Sequence, residues 1–466
     1  MSKEEQSLYS FYKDKNILIT GGTGFVGKVL LEKILRSLDC NKVYLIIRDS
    51  KQTAQEKYDK LLSSKAFLRL RDRHQGNFED WFRSKVKLIK GDLTKDSLAM
   101  SKADRELLKS DLDILIHCGA SVDFDANIYD NFVINVEGTL ALYELSESCS
   151  KDIAFTYVST AYVNSYKGSA CISEYSSPKH FVDADSIVAN IRSHKENAEV
   201  DFGGHPNTYT YTKSLAETIL LQKSKSYKTR VSVLRPSCIC ASYKEPFPGW
   251  LDSISATSAV ILFTAMGATK TLQGSAENIA DNIPVDYVAN GILVGLFDSR
   301  NDKFRVYHSS SSSQNPMTWG DVRTYTLGVL KVMPFQKSFI KPSMSFFNYD
   351  SIGRVHRSIK YKVPYRMFFL MSYFLPEKYS LKILKKLEKG DDISRRMYEL
   401  FSFFVRHQWI FKSEAMERAN SRLSEKEKLE FKTDLRDIDW SEYFLDFIKG
   451  IKVFVAEIKS KKKGKA

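Results

Sequence analysis

The sequence lacks the features that mark disulfide-built, secreted or membrane-spanning proteins. Its six cysteines are scattered and form no CxxC pair, so we expect reduced thiols and no metal site. The start of the chain, MSKEEQSLYSFYKDKN, has no apolar core of a secretory signal. No run of about 18 apolar residues occurs, so no transmembrane helix is predicted. These absences favour an intracellular protein.

Signatures of nucleic-acid binding are missing as well. There is no arginine-rich arm, no zinc-finger spacing and no aromatic nucleic-acid motif, although the chain has 70 Lys and Arg but only 56 Asp and Glu. The net charge of +14 instead suits a phosphorylated small molecule or an anionic membrane surface. With 466 residues, 43% of them hydrophobic, the chain can bury a large core in two or three domains.

The first part of the chain alternates short apolar runs with longer helical patterns, which predicts a doubly wound parallel sheet, an α/β fold of the Rossmann-like kind. Helices are predicted near 25–38, 127–148 and 209–226, and the polar insertion 49–85 is expected to be helical as well. The predicted strands are 16–20, 43–47, 86–89, 112–116, 153–158 and 231–234.

A change of pattern near residue 330 predicts a boundary between an N-terminal α/β domain, 1–330, and a smaller, mostly helical C-terminal domain, 331–466. Within the latter, 357–390 carries an apolar run of about a dozen residues between Lys and Arg, too short to span a bilayer. Two interpretations stay open for it: a helix in a membrane interface, or a helix packed on its own domain.

The clearest motif follows the first predicted strand directly. Gly21, Gly24 and Gly27 have the spacing GxxGxxG and open an amphipathic helix. In such a turn the first glycine permits the tight bend, the second lets the backbone approach a pyrophosphate, and the third lets helix and strand pack closely. The helix N-terminus then offers N–H groups to the anion. The pattern predicts a dinucleotide site.

The residue after the second strand indicates which dinucleotide binds. Arg48 stands where an NAD site would carry an acidic side chain, and a cation suits the 2′-phosphate of NADPH, although Asp49 follows at once. Asp92 and Leu93 end the third strand and Ala120 follows the fourth, where loops face the cofactor. His117 and Cys118 are interpreted as packed or cofactor-lining residues rather than catalytic ones.

A second motif supplies acid–base chemistry. Tyr209 and Lys213 are four residues apart, so on a helix they share one face and reach one ribose and one carbonyl. A neighbouring cation favours the phenolate, which predicts a lowered tyrosine pKa. Thr160 or Ser159 can then hydrogen-bond a developing oxyanion. Tyr211 is only two residues before the lysine and is expected to face elsewhere.

Together, TGGTGFVGK, GDLT, VSTAY, YTYTK and LRPS resemble the extended short-chain dehydrogenase/reductase family. RPSCICASYKEPFPGW, NIPVDYVANG and YHSSSSSQNPMTW resemble the fatty acyl-CoA reductases more specifically. The resemblance continues through HQWIF and FKTDLRDIDWSEYF to Gly450 and covers roughly residues 12–455.

The resemblance implies reduction of a long-chain fatty acyl-CoA to a primary alcohol through an aldehyde, with two NADPH and no acyl-enzyme cysteine. It implies that Tyr209 donates the proton, Lys213 orients the ribose, Thr160 supports the oxyanion and Arg48 contacts the adenosine phosphate. The residues expected around the dinucleotide also include Gly21, Thr23, Gly24, Phe25, Val26, Gly27, Asp92, Leu93, Ala120, Pro236 and Ser237.

The same resemblance bears on location. The apolar segment often proposed as a membrane anchor in the family is short or missing, so we expect at most peripheral association with endoplasmic reticulum or peroxisome, or a cytoplasmic protein. The terminal GKA is not a peroxisomal SKL signal. Alternatives are a reductase that stops at the aldehyde, an extended-family enzyme acting on another carbonyl, and a non-catalytic scaffold. Acyl-chain preference and oligomeric state stay open.

Overall fold

The computed structural model describes residues 7–176, 183–335, 341–373 and 377–463. Its centre is a seven-stranded parallel sheet with the order β11-β7-β5-β4-β1-β2-β3. The strands of the described chain are β1 (Asn16–Thr20), β2 (Lys42–Ile47), β3 (Val86–Lys90), β4 (Ile114–His117), β5 (Ala154–Val158), β6 (Ala170–Ile172), β7 (Arg230–Pro236), β8 (Cys238–Cys240), β9 (Thr271–Gln273), β10 (Asn282–Pro284), β11 (Phe304–Ser309), β12 (Ser345–Phe347) and β13 (Trp409–Phe411).

Helices cover both faces of the sheet, as the buried apolar strands β1, β4 and β5 require. The α-helices of the described chain are α1 (Leu8–Tyr12), α2 (Phe25–Ser37), α3 (Ala54–Leu62), α4 (Leu68–Arg73), α5 (Phe78–Lys85), α6 (Lys102–Asp111), α7 (Ile128–Phe132), α8 (Gly138–Glu147), α9 (Ala184–His194), α10 (Thr208–Lys223), α11 (Ala256–Ala265), α12 (Val285–Asp298), α13 (Trp319–Val332), α14 (Asp350–Ser372), α15 (Glu377–Arg406), α16 (Glu414–Ser421), α17 (Glu425–Glu430) and α18 (Trp440–Lys463). The predicted α/β doubly wound class is confirmed.

The structure differs from the sequence predictions in three ways. Six short strands outside the large sheet were not predicted: β6, β8, β9, β10, β12 and β13. The helix predicted over 127–148 is divided, because one π-helical turn, Val133–Glu137, lies between α7 and α8. The sheet also has a seventh strand, β11, which pairs only with β7 at the edge. The insertion 49–85 contains α3, α4 and α5, as expected, and the rings of Tyr58, Phe67 and Phe82 pack together between them.

The part of the chain after residue 330 packs onto the part before it. β12 pairs in parallel with β9, and β13 pairs with β6, so two short sheets join the N-terminal and C-terminal regions. The buried apolar cluster beside the large sheet likewise includes Ile34 of α2 and Phe447 of α18. Among the residues described, no helix combines the length and apolarity needed to cross a bilayer.

Candidate active site

The centre of the sheet provides the crevice for a cofactor. β1 lies between β4 and β2, and connections leave these strands towards opposite sides of the sheet. Ligands bind at this switch point, beyond the carboxyl ends of the strands. Gly21 follows β1 with a φ of +71°, and a Cβ there would lie 2.8 Å from the nitrogen of Gly119, beyond β4. Only glycine satisfies both the backbone angle and this close approach.

The glycine turn leads into α2 with its N–H groups unobstructed. Gly24 is the N-cap residue and makes no side-chain capping bond, and the first turn of α2 contains no acidic residue. A Cβ on Gly27 would overlap the carbonyl oxygen of Gly21. The turn therefore fits a pyrophosphate, because the start of α2 keeps backbone N–H groups without a side-chain cap and carries no acidic side chain that would repel the anion.

A cavity of about 1000 Å³ extends from this turn across the end of the sheet. It contains most of the predicted site. The predicted residues that line it are Gly21, Thr23, Gly24, Phe25, Val26, Gly27, Ala120, Ser159, Thr160, Tyr209, Pro236 and Ser237. The structure thus brings the glycine turn and the hydroxyl groups predicted to be catalytic into one continuous space.

Tyr209, in the first turn of α10, meets Thr160 in this cavity. The Asn207 side chain caps the helix by accepting the N–H of Thr210, which fixes the turn that carries the tyrosine. Burial raises the pKa of Tyr209 to about 12, and a hydrogen bond with Thr160 offsets only part of that rise. The lowered pKa that the sequence predicts from Lys213 is therefore wrong, because burial raises the pKa of Tyr209 and the group that opposes the rise is Thr160. The phenol is fully protonated at neutral pH and can donate.

Lys213 lies one helical turn further along α10, behind the cavity wall. Its ammonium donates to the carbonyl oxygen of Val158 at 2.7 Å and lies 4.4 Å from the centre of the Tyr157 ring. Burial lowers the pKa of Lys213 to about 7, and the nearby Cys118 and Glu217 partly oppose this. The ammonium is held at the end of β5, next to the strand end that carries Ser159 and Thr160.

This buried lysine makes the stability of the fold depend on pH. Between about pH 7 and 10.5 the unfolded chain holds a proton on Lys213 that the folded chain releases, so the free energy of unfolding rises with pH. We expect Lys213→Met to remove that slope. Its stability relative to the parent should be about 2 kcal/mol more favourable at pH 7 than at pH 9.

Denaturant unfolding of both proteins at the two pH values measures this difference. Lys225→Met, at an exposed position just beyond α10, is the matched control and should show no comparable change between pH 7 and pH 9. A Lys213→Met difference that is the same at both pH values would show that the buried ammonium does not titrate as described.

Two serine hydroxyls in the cavity are free to bind a ligand. Ser159 Oγ and Ser237 Oγ are both buried, and neither has a hydrogen-bond partner within the described parts of the chain. Both residues line the cavity, at the ends of β5 and β7. A buried hydroxyl without a partner is costly unless a ligand satisfies it. The two unpaired serine hydroxyls therefore indicate that a polar ligand binds in this part of the cavity, where Ser159 is next to Thr160 in the chain.

Besides Lys213, three predicted cofactor residues lie outside the cavity lining. Arg48 is exposed just after β2, and its carbonyl oxygen accepts a hydrogen bond from Lys57. The Asp92 carboxylate accepts from the backbone and hydroxyl of Thr94, at 3.0 and 2.9 Å. The Leu93 side chain lies against Gly119 and Gly138, so that a Cβ on either glycine would be about 3 Å from it. Neither these three residues nor Lys213 forms part of the cavity wall, so their roles towards a cofactor stay predictions.

His117 and Cys118 are packed, as interpreted from the sequence. The His117 ring is within hydrogen-bond distance of Thr20 Oγ1 at 2.6 Å and of Thr139 Oγ1 at 3.0 Å, and burial lowers its pKa well below the usual value. Cys118 touches the cavity, but burial raises the pKa of its thiol to about 12. Neither side chain is poised for proton transfer or nucleophilic attack.

The apolar half of the cavity was not predicted from the sequence. Its wall comes from α15, β13 and the loop after β4, and it comprises Val122, Phe124, Ile393, Met397, Leu400, Phe401, Phe404, Trp409 and Phe411. The Phe124 ring lies 5.6 Å from that of Tyr209 and 5.9 Å from that of Phe404. The HQWIF motif contains two of these residues, but its letters alone do not reveal a place in a cavity.

A glycine turn on a doubly wound sheet, with the Thr160 and Tyr209 hydroxyls in the same cavity, defines an oxidoreductase of the extended short-chain type that uses a nicotinamide dinucleotide. Two family models described as "Male sterility protein", an NAD-binding model and a Sterile model, match residues 19–292 and 360–457. The chain belongs to the fatty acyl-CoA reductase family, as the following relatives show.

It is 32% identical over 460 residues to fatty acyl-CoA reductase 1 of Rattus norvegicus, covering 96% of this chain and 86% of the relative. It is 31% identical over 462 residues to fatty acyl-CoA reductase 2 of Mus musculus, covering 96% and 85%.

Solved structures share the fold. The terminal R domain of the myxalamid PKS-NRPS pathway aligns with a TM-score of 0.62 at 16% identity, over 95% of this chain and 92% of that one. The reductase domain of a nonribosomal peptide synthetase from Mycobacterium tuberculosis also aligns with a TM-score of 0.62 at 16% identity, over 97% of this chain and 98% of that one. Both alignments extend through the C-terminal helical region, so the architecture is shared over nearly the whole chain.

Proposed function

We propose that this protein reduces long-chain fatty acyl-CoA to a primary fatty alcohol with NADPH. The observation that carries the proposal is the continuity of one cavity, in which the glycine turn, the Thr160–Tyr209 pair and an apolar wall follow one another. The names of the relatives point to the same substrate class. An acyl chain would lie along α15 and β13, with its thioester carbonyl near Tyr209.

The residues divide the chemistry between them. When bound, the dinucleotide supplies hydride to the carbonyl carbon, first of the thioester and then of the aldehyde. Tyr209 donates its phenolic proton to the carbonyl oxygen, and its raised pKa keeps that proton available at neutral pH. Thr160 and Ser159 offer hydroxyls to the oxygen as charge develops on it. Loss of CoA thiol after the first reduction needs no enzyme nucleophile.

The proposal that the dinucleotide is NADPH rests on the surroundings of Arg48. Asp49, which could have served the ribose hydroxyls of NADH, accepts the N–H of Ala54 at 2.7 Å and pairs with Lys90 at 2.5 Å. Its carboxylate is therefore engaged by its own loop, and these contacts lower its pKa. Arg48 is exposed beside it at the end of β2, where a 2′-phosphate would lie.

Arg48→Ala is expected to raise KM for NADPH by about tenfold, the usual contribution of one charge-assisted hydrogen bond, and to leave KM for NADH nearly unchanged. Initial rates with each dinucleotide measure both constants. Lys51→Ala, at an exposed position three residues further on, is the matched control and should alter neither. Equal use of both dinucleotides by the unaltered protein would contradict the assignment.

The function itself is tested by incubating the protein with palmitoyl-CoA and NADPH, and by following NADPH oxidation together with chromatography of the products. We expect hexadecanol and two NADPH consumed per acyl-CoA. Accumulation of hexadecanal with one NADPH consumed would show a reductase that stops at the aldehyde. Absence of acyl-CoA-dependent oxidation, with reduction of another carbonyl compound, would overturn the proposed substrate.

A further inference from the structure

One face of α14 is apolar and exposed over its whole length. We call it the hairpin surface, because α14 packs antiparallel to α15 and this face lies on the outside of the pair. The residues that form it recur every three or four positions, and each is between 44% and 65% exposed: Ile352, Val355, Ile359, Val363, Met367 and Leu370. That spacing keeps them on one side of a helix.

The opposite side of α14 is firmly attached to the rest of the protein. Tyr361 donates to the carbonyl oxygen of Ala268 at 2.9 Å, and Arg357 forms an ion pair with Asp391 of α15. Gly353 packs against the ring of Tyr398. These three residues are the buried ones of the helix. The apolar face is thus held outward by specific contacts, and it is not the side that builds the core.

Positive charge surrounds this surface. Residues 351–390 contain ten Lys and Arg but only two Glu, which accounts for more than half of the net charge of +14. Exposed basic side chains flank the apolar stripe on α14 and continue along the first half of α15: Lys360, Lys362, Arg366, Lys378, Lys382 and Lys385. An apolar stripe with a basic border is the pattern of helices that lie in the interface of an anionic bilayer.

We propose that the hairpin surface docks on a membrane that contains anionic lipids, with the stripe among the acyl chains and the lysines on the headgroups. The charge argues for this occupant over a second copy of the chain, because two such surfaces in contact would repel each other. Of the two interpretations left open by the sequence for 357–390, the outward-facing stripe favours the interface. This surface is distinct from the proposed catalytic residues.

Co-sedimentation with vesicles tests the proposal. The full-length protein should bind vesicles with about 30% phosphatidylserine at least tenfold more tightly than pure phosphatidylcholine vesicles, and about 0.5 M salt should weaken the binding. Met367→Ser with Leu370→Ser should lower binding to the anionic vesicles at least tenfold, as should Lys378→Gln with Lys382→Gln and Lys385→Gln.

Matched controls lie elsewhere on the surface. Val332→Ser with Leu429→Ser removes two side chains that are 80% and 78% exposed, and Lys102→Gln with Lys225→Gln removes two exposed charges. Neither should change binding. Equal binding to both vesicle types, or binding that survives both hairpin variants, would overturn the proposal. So would a dimer in sedimentation velocity that dissociates when Met367 and Leu370 are replaced, since a second copy would then cover the face.

Discussion

Tyr209→Phe is expected to lower kcat for acyl-CoA reduction by about 10²- to 10⁴-fold, the range that a positioned general acid contributes. Phenylalanine keeps the ring that packs against Phe124 and removes only the hydroxyl that meets Thr160. The substrate and dinucleotide should therefore still bind, and KM should change far less than kcat. Steady-state rates with palmitoyl-CoA, together with dinucleotide binding by fluorescence, separate the two effects.

Tyr211→Phe is the matched control for this change. Tyr211 is two residues further along α10 and packs against Phe202, away from the cavity lining. Its loss of a hydroxyl should leave kcat within about threefold of the parent, because no proton donor is removed. If turnover persisted in Tyr209→Phe but fell in Tyr211→Phe, Tyr209 would not be the proton donor and Tyr211 would be the better candidate.

Gly450→Ala should destabilise the protein by about 1–3 kcal/mol or more, because a new methyl group would overlap backbone that has little room to move. A Cβ on Gly450 of α18 would overlap the carbonyl oxygen of Gly249 and lie 3.0 Å from Leu251 Cδ2. Trp250, which directly follows Gly249, has its ring centre 5.5 Å from that of Phe25 in the glycine turn. We therefore also expect weaker dinucleotide binding in this variant.

Gly328→Ala provides a control of opposite sign. Gly328 is inside α13, and nothing lies within 4 Å of the Cβ that it would gain. Alanine is a better helix former, so stability should rise by about 0.5–1 kcal/mol. Chemical denaturation of both variants gives the comparison. If Gly450→Ala were as stable as the parent, the backbone contact between Gly249 and α18 would not be as close as described.

The glycine turn and its place between β1 and α2 could be predicted because the evidence for them is local. Gly21, Gly24 and Gly27 stand between a strand and a helix that are both readable from their apolar patterns, and the geometry follows from that order. The Tyr209 position was accessible for the same reason, since the i, i+4 relation to Lys213 depends only on α10 being helical. Strand β11 was harder to detect, since FRVYHS ends in polar residues and lies at the sheet edge.

Other properties depend on contacts between distant parts of the chain. The pKa of Tyr209 is raised by its burial in the folded protein, where its ring also packs against Phe124, whereas the sequence pointed only to a charge four residues away. The apolar wall requires α15 and β13 to reach the end of β5, and β13 does so by pairing with β6. Apolar side chains in a cavity wall look the same in sequence as those in a core, so Phe401 and Phe404 gave no signal.

The pairing of β13 with β6 and of β12 with β9 also limits how such enzymes can be recombined. The dinucleotide turn is encoded near the start of the chain and the apolar wall near its end, which suggests exchanging C-terminal segments between relatives to alter acyl-chain preference. Each exchanged segment must contain strands that can pair with β6 and β9. It must also keep a glycine at the position of Gly450, because a side chain there would overlap the backbone of Gly249. Where the strands do not match, we expect that β6, β9 and the PFPGW loop must be transferred together with the segment.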